Sequence, residues 1–104
     1  MNYDVNQFYL DIQDCLSLAN KELCDRKNGI LGESTIKQLE NYIIPDLTDL
    51  RSKIERNDPL PPNTQQYRYV ASFGNAFKVW NWDMAKPSEL YLKLLRLNEN
   101  YRKI

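Results

Sequence analysis

The hydrophobic and polar positions of this chain follow a helical period in three segments, 4–27, 34–56 and 87–103. In each, apolar residues recur every three or four positions, which is the spacing of one face of an amphipathic helix. The first apolar stripe contains Val5, Phe8, Tyr9, Ile12, Leu16, Ala19 and Leu23. The second contains Ile36, Leu39, Ile43, Leu47, Leu50 and Ile54, and the third contains Leu90, Leu94, Leu97 and Tyr101. We therefore predict three helices that each bury one face.

The predicted helix ends carry familiar signals. Gly29 follows Asn28 at the end of the first segment, and glycine adopts the left-handed conformation of a helix end at little cost. Ser34 or Thr35 can cap the second helix. Pro45 interrupts that helix, because it lacks an N–H group and its ring clashes with the carbonyl four residues earlier. The apolar positions keep their phase across the proline, so we predict one helix kinked at Pro45 or two short collinear helices.

The segment 64–82 allows two interpretations. As a helix it places Tyr67, Val70 and Phe77 on one face. As a hairpin it pairs two strands rich in β-formers around Gly74 and Asn75. We favour the helix, because an isolated two-stranded sheet is only marginally stable. The predicted fold is all-α, a small antiparallel bundle of three to four helices in a single domain, 1–104. The alternative is an α+β fold with a hairpin at 67–82.

Composition excludes several classes of function. The 104 residues contain no histidine and only three scattered glycines. Imidazole bases, histidine-containing zinc sites and glycine-rich phosphate loops are therefore ruled out. Cys15 and Cys24 would lie on opposite sides of a helix and too far apart for a disulfide. We predict a protein that is not an enzyme and has no cofactor and no metal.

The remaining global features concern location. The first residues show no basic stretch followed by an apolar one, and no apolar run has the length of about 18 residues that a membrane span requires. We therefore expect a cytoplasmic protein without membrane contact.

Charge is distributed unevenly along the chain. Residues 1–58 contain eleven acidic and seven basic residues, a net charge of −4, and residues 59–104 contain three acidic and seven basic residues, a net charge of +4. On the first helix one sector about 80° wide, at about 100° per residue, forms a predicted acidic ridge. Its members are Asp4, Asp11, Asp14, Leu18, Glu22 and Asp25. We predict that the ridge faces solvent and, from Asp11 to Asp25, binds a basic protein partner; the alternative is a merely solvated face.

Aromatic residues provide a second candidate contact. Tryptophan is common both in binding hot spots and in protein cores. We predict that Trp80 packs in the core and that Trp82 is partly exposed, with at least one of the two binding a partner. Nucleic acid is a less favoured partner, because the acidic first half would repel phosphates.

Two pairs of acidic residues, Glu22 with Asp25 and Asp46 with Asp49, have the spacing of three that places carboxylates on one helix face. This arrangement resembles the magnesium site of the all-α nucleotide pyrophosphohydrolases of the MazG-like family, whose motif is ExxE followed by ExxD. The resemblance implies Mg²⁺-dependent hydrolysis of nucleotides. It covers these four positions alone, and aspartate replaces glutamate within it.

In size, charge asymmetry and absence of catalytic groups, the chain also resembles the small cytoplasmic immunity proteins that neutralise bacterial toxins. The function we predict is therefore a non-catalytic protein-binding module of this antitoxin-like kind. It would cover the active site of a basic toxin such as a nuclease. The alternatives are the Mg-dependent pyrophosphohydrolase and an adaptor or subunit of a larger assembly.

Overall fold

The computed structural model describes residues 3–60, 80, 82–83, 85–101 and 103, and the account below is confined to them. They form three helices and no β-strand, which confirms the all-α class for this part of the chain. The predicted helix or hairpin at 64–82 lies outside the described residues except for Trp80 and Trp82, which belong to neither a helix nor a strand.

The first helix, α1, spans Val5–Lys27. It begins at Asp4, whose side chain accepts a hydrogen bond from the backbone N–H of Gln7 at 2.9 Å. Gly29, two residues after the end of the helix, is in the left-handed conformation at φ 83°. The N–H groups of Gly29 and Ile30 then bond back to the carbonyls of Arg26 and Asp25. This is the Schellman motif, which satisfies carbonyl groups that the helix leaves without partners.

The second helix, α2, runs through three consecutive stretches: α-helical Ile36–Gln38, π-helical Leu39–Ile43 and α-helical Ile44–Glu55. Thr35 caps it through a reciprocal capping box with Gln38. In the π-helical stretch the N–H of Ile44 bonds to the carbonyl of Leu39, five residues back. The wider turn stands directly before Pro45, whose missing donor and bulky ring disturb the regular ladder. The proline predicted an interruption of the helix at this point, but not a π-helical stretch.

The third helix, α3, spans Glu89–Tyr101. The hydroxyl and the carbonyl of Ser88 accept hydrogen bonds from the N–H groups of Tyr91 and Leu92. Ser88 is thus the capping residue. The predicted segment 87–103 began two residues early, because Pro87 and Ser88 precede the helix.

One hydrophobic core joins the three helices, and α1 contacts both α2 and α3. Most residues of the predicted stripes are buried in it, but Val5 and Ile36 are exposed. Cys15, Trp82 and Tyr91 were not in those stripes and are buried as well. The ring of Phe8 meets that of Tyr101 edge-on, with centroids 5.3 Å apart. Within the described ranges, none of the helices has the length and apolar character needed to cross a membrane.

Candidate protein-interaction surface

The acidic ridge of α1 is not the uniformly solvated face that its spacing predicted. Each residue turns the helix by about 100°, which places Cys15 between the apolar stripe and the ridge. Because Cys15 is buried, the buried face of α1 extends towards the ridge. As a result Asp11, Leu18 and Glu22 lie at the border with neighbouring segments and are only partly exposed. Leu18 packs against the core. Leu18 is therefore less exposed than the spacing of the ridge predicted, and its role in binding a partner stays a prediction.

Glu22 belongs to a network that fixes the loop after α1. The hydroxyl of Ser34 donates to Glu22 Oε1 at 2.5 Å, and Arg26 Nη2 lies 3.3 Å from the same oxygen. Arg26 also donates from Nε to the carbonyl of Ser34 at 2.7 Å and from Nη1 to the carbonyl of Ile30 at 3.3 Å. The side chains of Arg26 and Glu22 are only 13% and 15% exposed. Arg26 thus ties helix α1 to the loop that follows it.

The other two acids at the centre of the ridge are also bound within the chain. Asp14 pairs with Lys93 of α3, whose side chain is partly buried. Asp11 accepts hydrogen bonds from the hydroxyl of Tyr3 and from the side-chain amide of Gln7. Asp14 remains largely exposed despite its ion pair, and Asp25 is partly exposed. Asp4, which caps the helix, and Asp14 are therefore the exposed positions of the ridge, and the other members are partly exposed.

A pocket of about 140 Å³ lies between α1 and α3. Its lining residues are Asp11, Asp14, Cys15, Lys93, Arg96, Leu97 and Asn100. Small-molecule sites usually occupy roughly 300–1,000 Å³, so this space suits a single side chain better than a substrate. Burial raises the pKa of the Cys15 thiol to about 12, which keeps it protonated and unreactive at neutral pH. Cys15 therefore does not supply a thiolate nucleophile to the pocket.

The two tryptophans occupy positions opposite to those predicted. Trp82 is buried in the core beside Tyr91, with ring centroids 5.9 Å apart. Trp80 is half-buried and lies between Trp82 and the exposed Tyr42, at 5.5 and 5.7 Å. The rings of Tyr91, Trp82, Trp80 and Tyr42 therefore contact one another in that order, from the core to the surface.

A contact between distant parts of the chain explains why Trp82 is more deeply buried than Trp80. The backbone N–H of Asp83 donates to Glu33 Oε2 at 2.6 Å. The side chain of Asp83 then accepts from the N–H groups of Ala85 and Lys86. These bonds hold the backbone next to Trp82 against the loop after α1.

Two neighbouring apolar side chains in the loop after α1 are strongly exposed, and the sequence did not predict them as a contact. Ile30 is 55% exposed and Leu31 is 94% exposed, and together they form what we call the apolar tip. Gly29 precedes the tip in the left-handed conformation, and Gly32 follows it so close to Arg26 that an added Cβ would lie 1.9 Å from Nη2. The sequence signal for the tip is an isoleucine–leucine pair that lies between two glycines and outside the apolar stripes of α1 and α2.

The four carboxylates that resemble a magnesium site are not gathered together. Glu22 is bound by Arg26 and Ser34, and Asp49 accepts a hydrogen bond from Lys53 at 2.9 Å. Among the residues that the structure describes, no group of three cysteine, aspartate or glutamate side chains could hold a metal ion. The geometry of these helices therefore does not favour the pyrophosphohydrolase interpretation.

Comparison with known proteins complements this geometry. No protein-family model, no curated protein and no solved structure matches the chain.

Proposed function

We propose that this protein acts by binding another protein and covering part of its surface, without catalysing a reaction. One observation carries the proposal. Seven large apolar side chains are prominently exposed among the described residues, and four of them fall within 30–42: Ile30, Leu31, Ile36 and Tyr42. Contiguous exposed apolar surface marks sites of protein interaction, and the concentration of these side chains in one short segment supports such a site there.

The use of charge within the fold supports a non-catalytic role. Glu22, Asp11 and Asp14 each bind a partner in their own chain, so they stabilise local structure. The thiol of Cys15 is buried and protonated, and the pocket above it is small. This leaves surface complementarity as the property that the described region offers to another molecule.

The finer form of the proposal is an immunity protein of a bacterial cytoplasm that occludes the active site of a basic toxin such as a nuclease. The net charge of −4 in residues 1–58 supports a basic partner. The exposed Asp14 and the partly exposed Asp25 supply acidic groups along α1, and Trp80 with Tyr42 supplies an aromatic contact. The apolar residues of 30–42 then provide the core of the interface.

The proposal is tested by isolating the partner and measuring what binding does to it. The whole chain is used to capture partners from its native host, and the captured protein is then purified and titrated with the chain. We expect a stable complex that lowers the partner's activity in proportion to the complex formed. Nucleoside triphosphate hydrolysis that needs Mg²⁺ and is abolished by Asp46→Asn would overturn the proposal in favour of an enzyme. Self-association with no other partner would favour a subunit of an assembly.

A further inference from the structure

We propose that the apolar tip, Ile30 with Leu31, inserts into an uncharged apolar socket on the partner protein, and that Arg26 is the positioning residue that holds the tip in shape. This inference rests on the proposed function and names the contact through which it is carried out.

The exposure of the tip is not a by-product of how α1 ends. In a Schellman motif the residue after the left-handed position often packs back on the last turns of the helix. Ile30 occupies that position and is still 55% exposed, and Leu31 is 94% exposed. The tip therefore presents apolar surface that packing among the described residues does not cover.

The tip is fixed before any partner arrives. Arg26 bonds to the carbonyls of Ile30 and Ser34 on either side of Leu31. Gly32 packs against the Arg26 guanidinium so closely that no side chain fits between them. A loop that is already ordered loses less conformational entropy when it binds, and more of its contact energy then appears as affinity.

The surroundings of the tip identify the chemistry of its partner. Arg26 points into its own loop, and Lys27 lies 3.7 Å from Glu40. The nearest cations are thus already paired, whereas an anionic lipid surface or a nucleic acid would require free ones. A convex, uncharged, aliphatic tip is complementary to a concave apolar site on a protein.

A second copy of this chain is a poor candidate for that socket. The pocket between α1 and α3, within the described part of the chain, has the charged side chains Asp11, Asp14, Lys93 and Arg96 in its lining. Burial of isoleucine or leucine there would remove water from charged groups without replacing its hydrogen bonds. We therefore commit to a different protein as the occupant.

Photo-crosslinking locates the contact even while the partner is unidentified. A photoreactive amino acid is placed at position 31 or, as a matched control, at position 10, where Leu10 is 56% exposed on α1. We expect one strong protein adduct in native-host cells from position 31 and none from position 10. The same adduct from both positions, or from position 10 alone, would overturn the tip as the contact. If wild-type chain captures no protein at all, the proposed function itself fails.

Affinity measurements with the purified partner test the positioning role. Leu31→Ser is expected to weaken binding roughly 10- to 100-fold, as at an interface hot spot, and Leu10→Ser by less than about twofold. Arg26→Met as a single substitution should weaken binding. In the Leu31→Ser background it should have no further effect, because Arg26 acts through the tip. Equal losses from Arg26→Met in both backgrounds would show a purely structural role and overturn that part of the inference.

Two further readouts separate an apolar socket from charged partners. The factor by which Leu31→Ser weakens binding should change by less than about threefold between low and high salt, whereas the contribution of the acidic residues on α1 should fall strongly as salt is added. Vesicles containing phosphatidylserine should not retain the chain. Retention that Leu31→Ser abolishes would instead show that the tip binds lipid.

Discussion

Helices α1 and α2 end in the same way. At each end one residue has a positive φ, 83° at Gly29 and 57° at Asn57. At each end the next N–H bonds to a carbonyl five residues back, from Ile30 at 2.9 Å and from Asp58 at 2.8 Å. The backbone problem and its solution are therefore shared.

The side chains that follow are different. At the end of α2 the exposed position is the acidic Asp58, which pairs with Arg56 at 3.2 Å. At the end of α1 the equivalent position is Ile30, and Leu31 follows it into solvent. Since a charged residue serves this backbone motif in the same molecule, the motif does not require an apolar one. The comparison separates what ends a helix from what we assign to binding.

The largest expected effect on the free energy of unfolding comes from replacing the arginine at the end of α1, compared with the arginine at the end of α2. Arg26→Met removes bonds to Ser34 and Ile30 and leaves the buried carboxylate of Glu22 without its cation, which should lower the free energy of unfolding by about 2–4 kcal/mol. Arg56 is 62% exposed, so Arg56→Met should cost less than about 0.5 kcal/mol. Urea unfolding of both variants measures the difference. Equal losses would mean that the loop after α1 does not depend on Arg26.

The second effect is the close approach of Gly32 to Arg26. In Gly32→Ala the new Cβ would displace the guanidinium from its bonds, with an expected cost of about 1–3 kcal/mol. The two substitutions should not be additive, because both break the same network. Urea unfolding of Gly32→Ala in the wild-type and Arg26→Met backgrounds provides the comparison. A full additional loss in the Arg26→Met background would contradict this account.

The sequence predicted what depends on local pattern. The stripes of the three helices were mostly right, because burial of one face follows the helical period. Asn28 and Gly29 marked the end of α1, because the left-handed position has a strong residue preference.

What the sequence did not predict depends on packing between distant residues. Cys15 is buried where α3 packs on α1. The helical period of α1 alone does not specify that α3 packs at this position. The order of Trp80 and Trp82 depends on a hydrogen bond between Glu33 and Asp83, fifty residues apart. The role of Glu22 depends on Arg26 turning back over Ser34. The candidate site was therefore only partly predictable, although its helices were.

A smaller effect is expected at the ion pair that joins α1 to α3, far from the helix ends. The hydrogen bond to Asp14 raises the pKa of Lys93 above its ordinary value of 10.5. The stabilisation is then complete below pH 10.5 and is lost as pH rises through the higher pKa of the folded state. Lys93→Met should cost about 0.2–1 kcal/mol at pH 7, because Asp14 is largely exposed. Unfolding at pH 7 and above pH 11, with the exposed Lys86→Met as control, should show this difference shrinking. A difference that persists at high pH would contradict an electrostatic origin.

The smallest expected effect is the one that decides the comparison of the two helix ends. Ile30→Asp gives the end of α1 the same residue type that α2 has at Asp58, and Ile30 is more than half exposed. If the apolar tip is unnecessary for folding, the free energy of unfolding should change by less than about 0.5 kcal/mol. Asp58→Ile is the reciprocal variant, and it should be equally neutral because the backbone motif accepts either side chain. Urea unfolding measures both. A loss above about 1.5 kcal/mol for Ile30→Asp alone would mean that Ile30 packs as a structural residue, and the apolar tip would then need no partner to explain it.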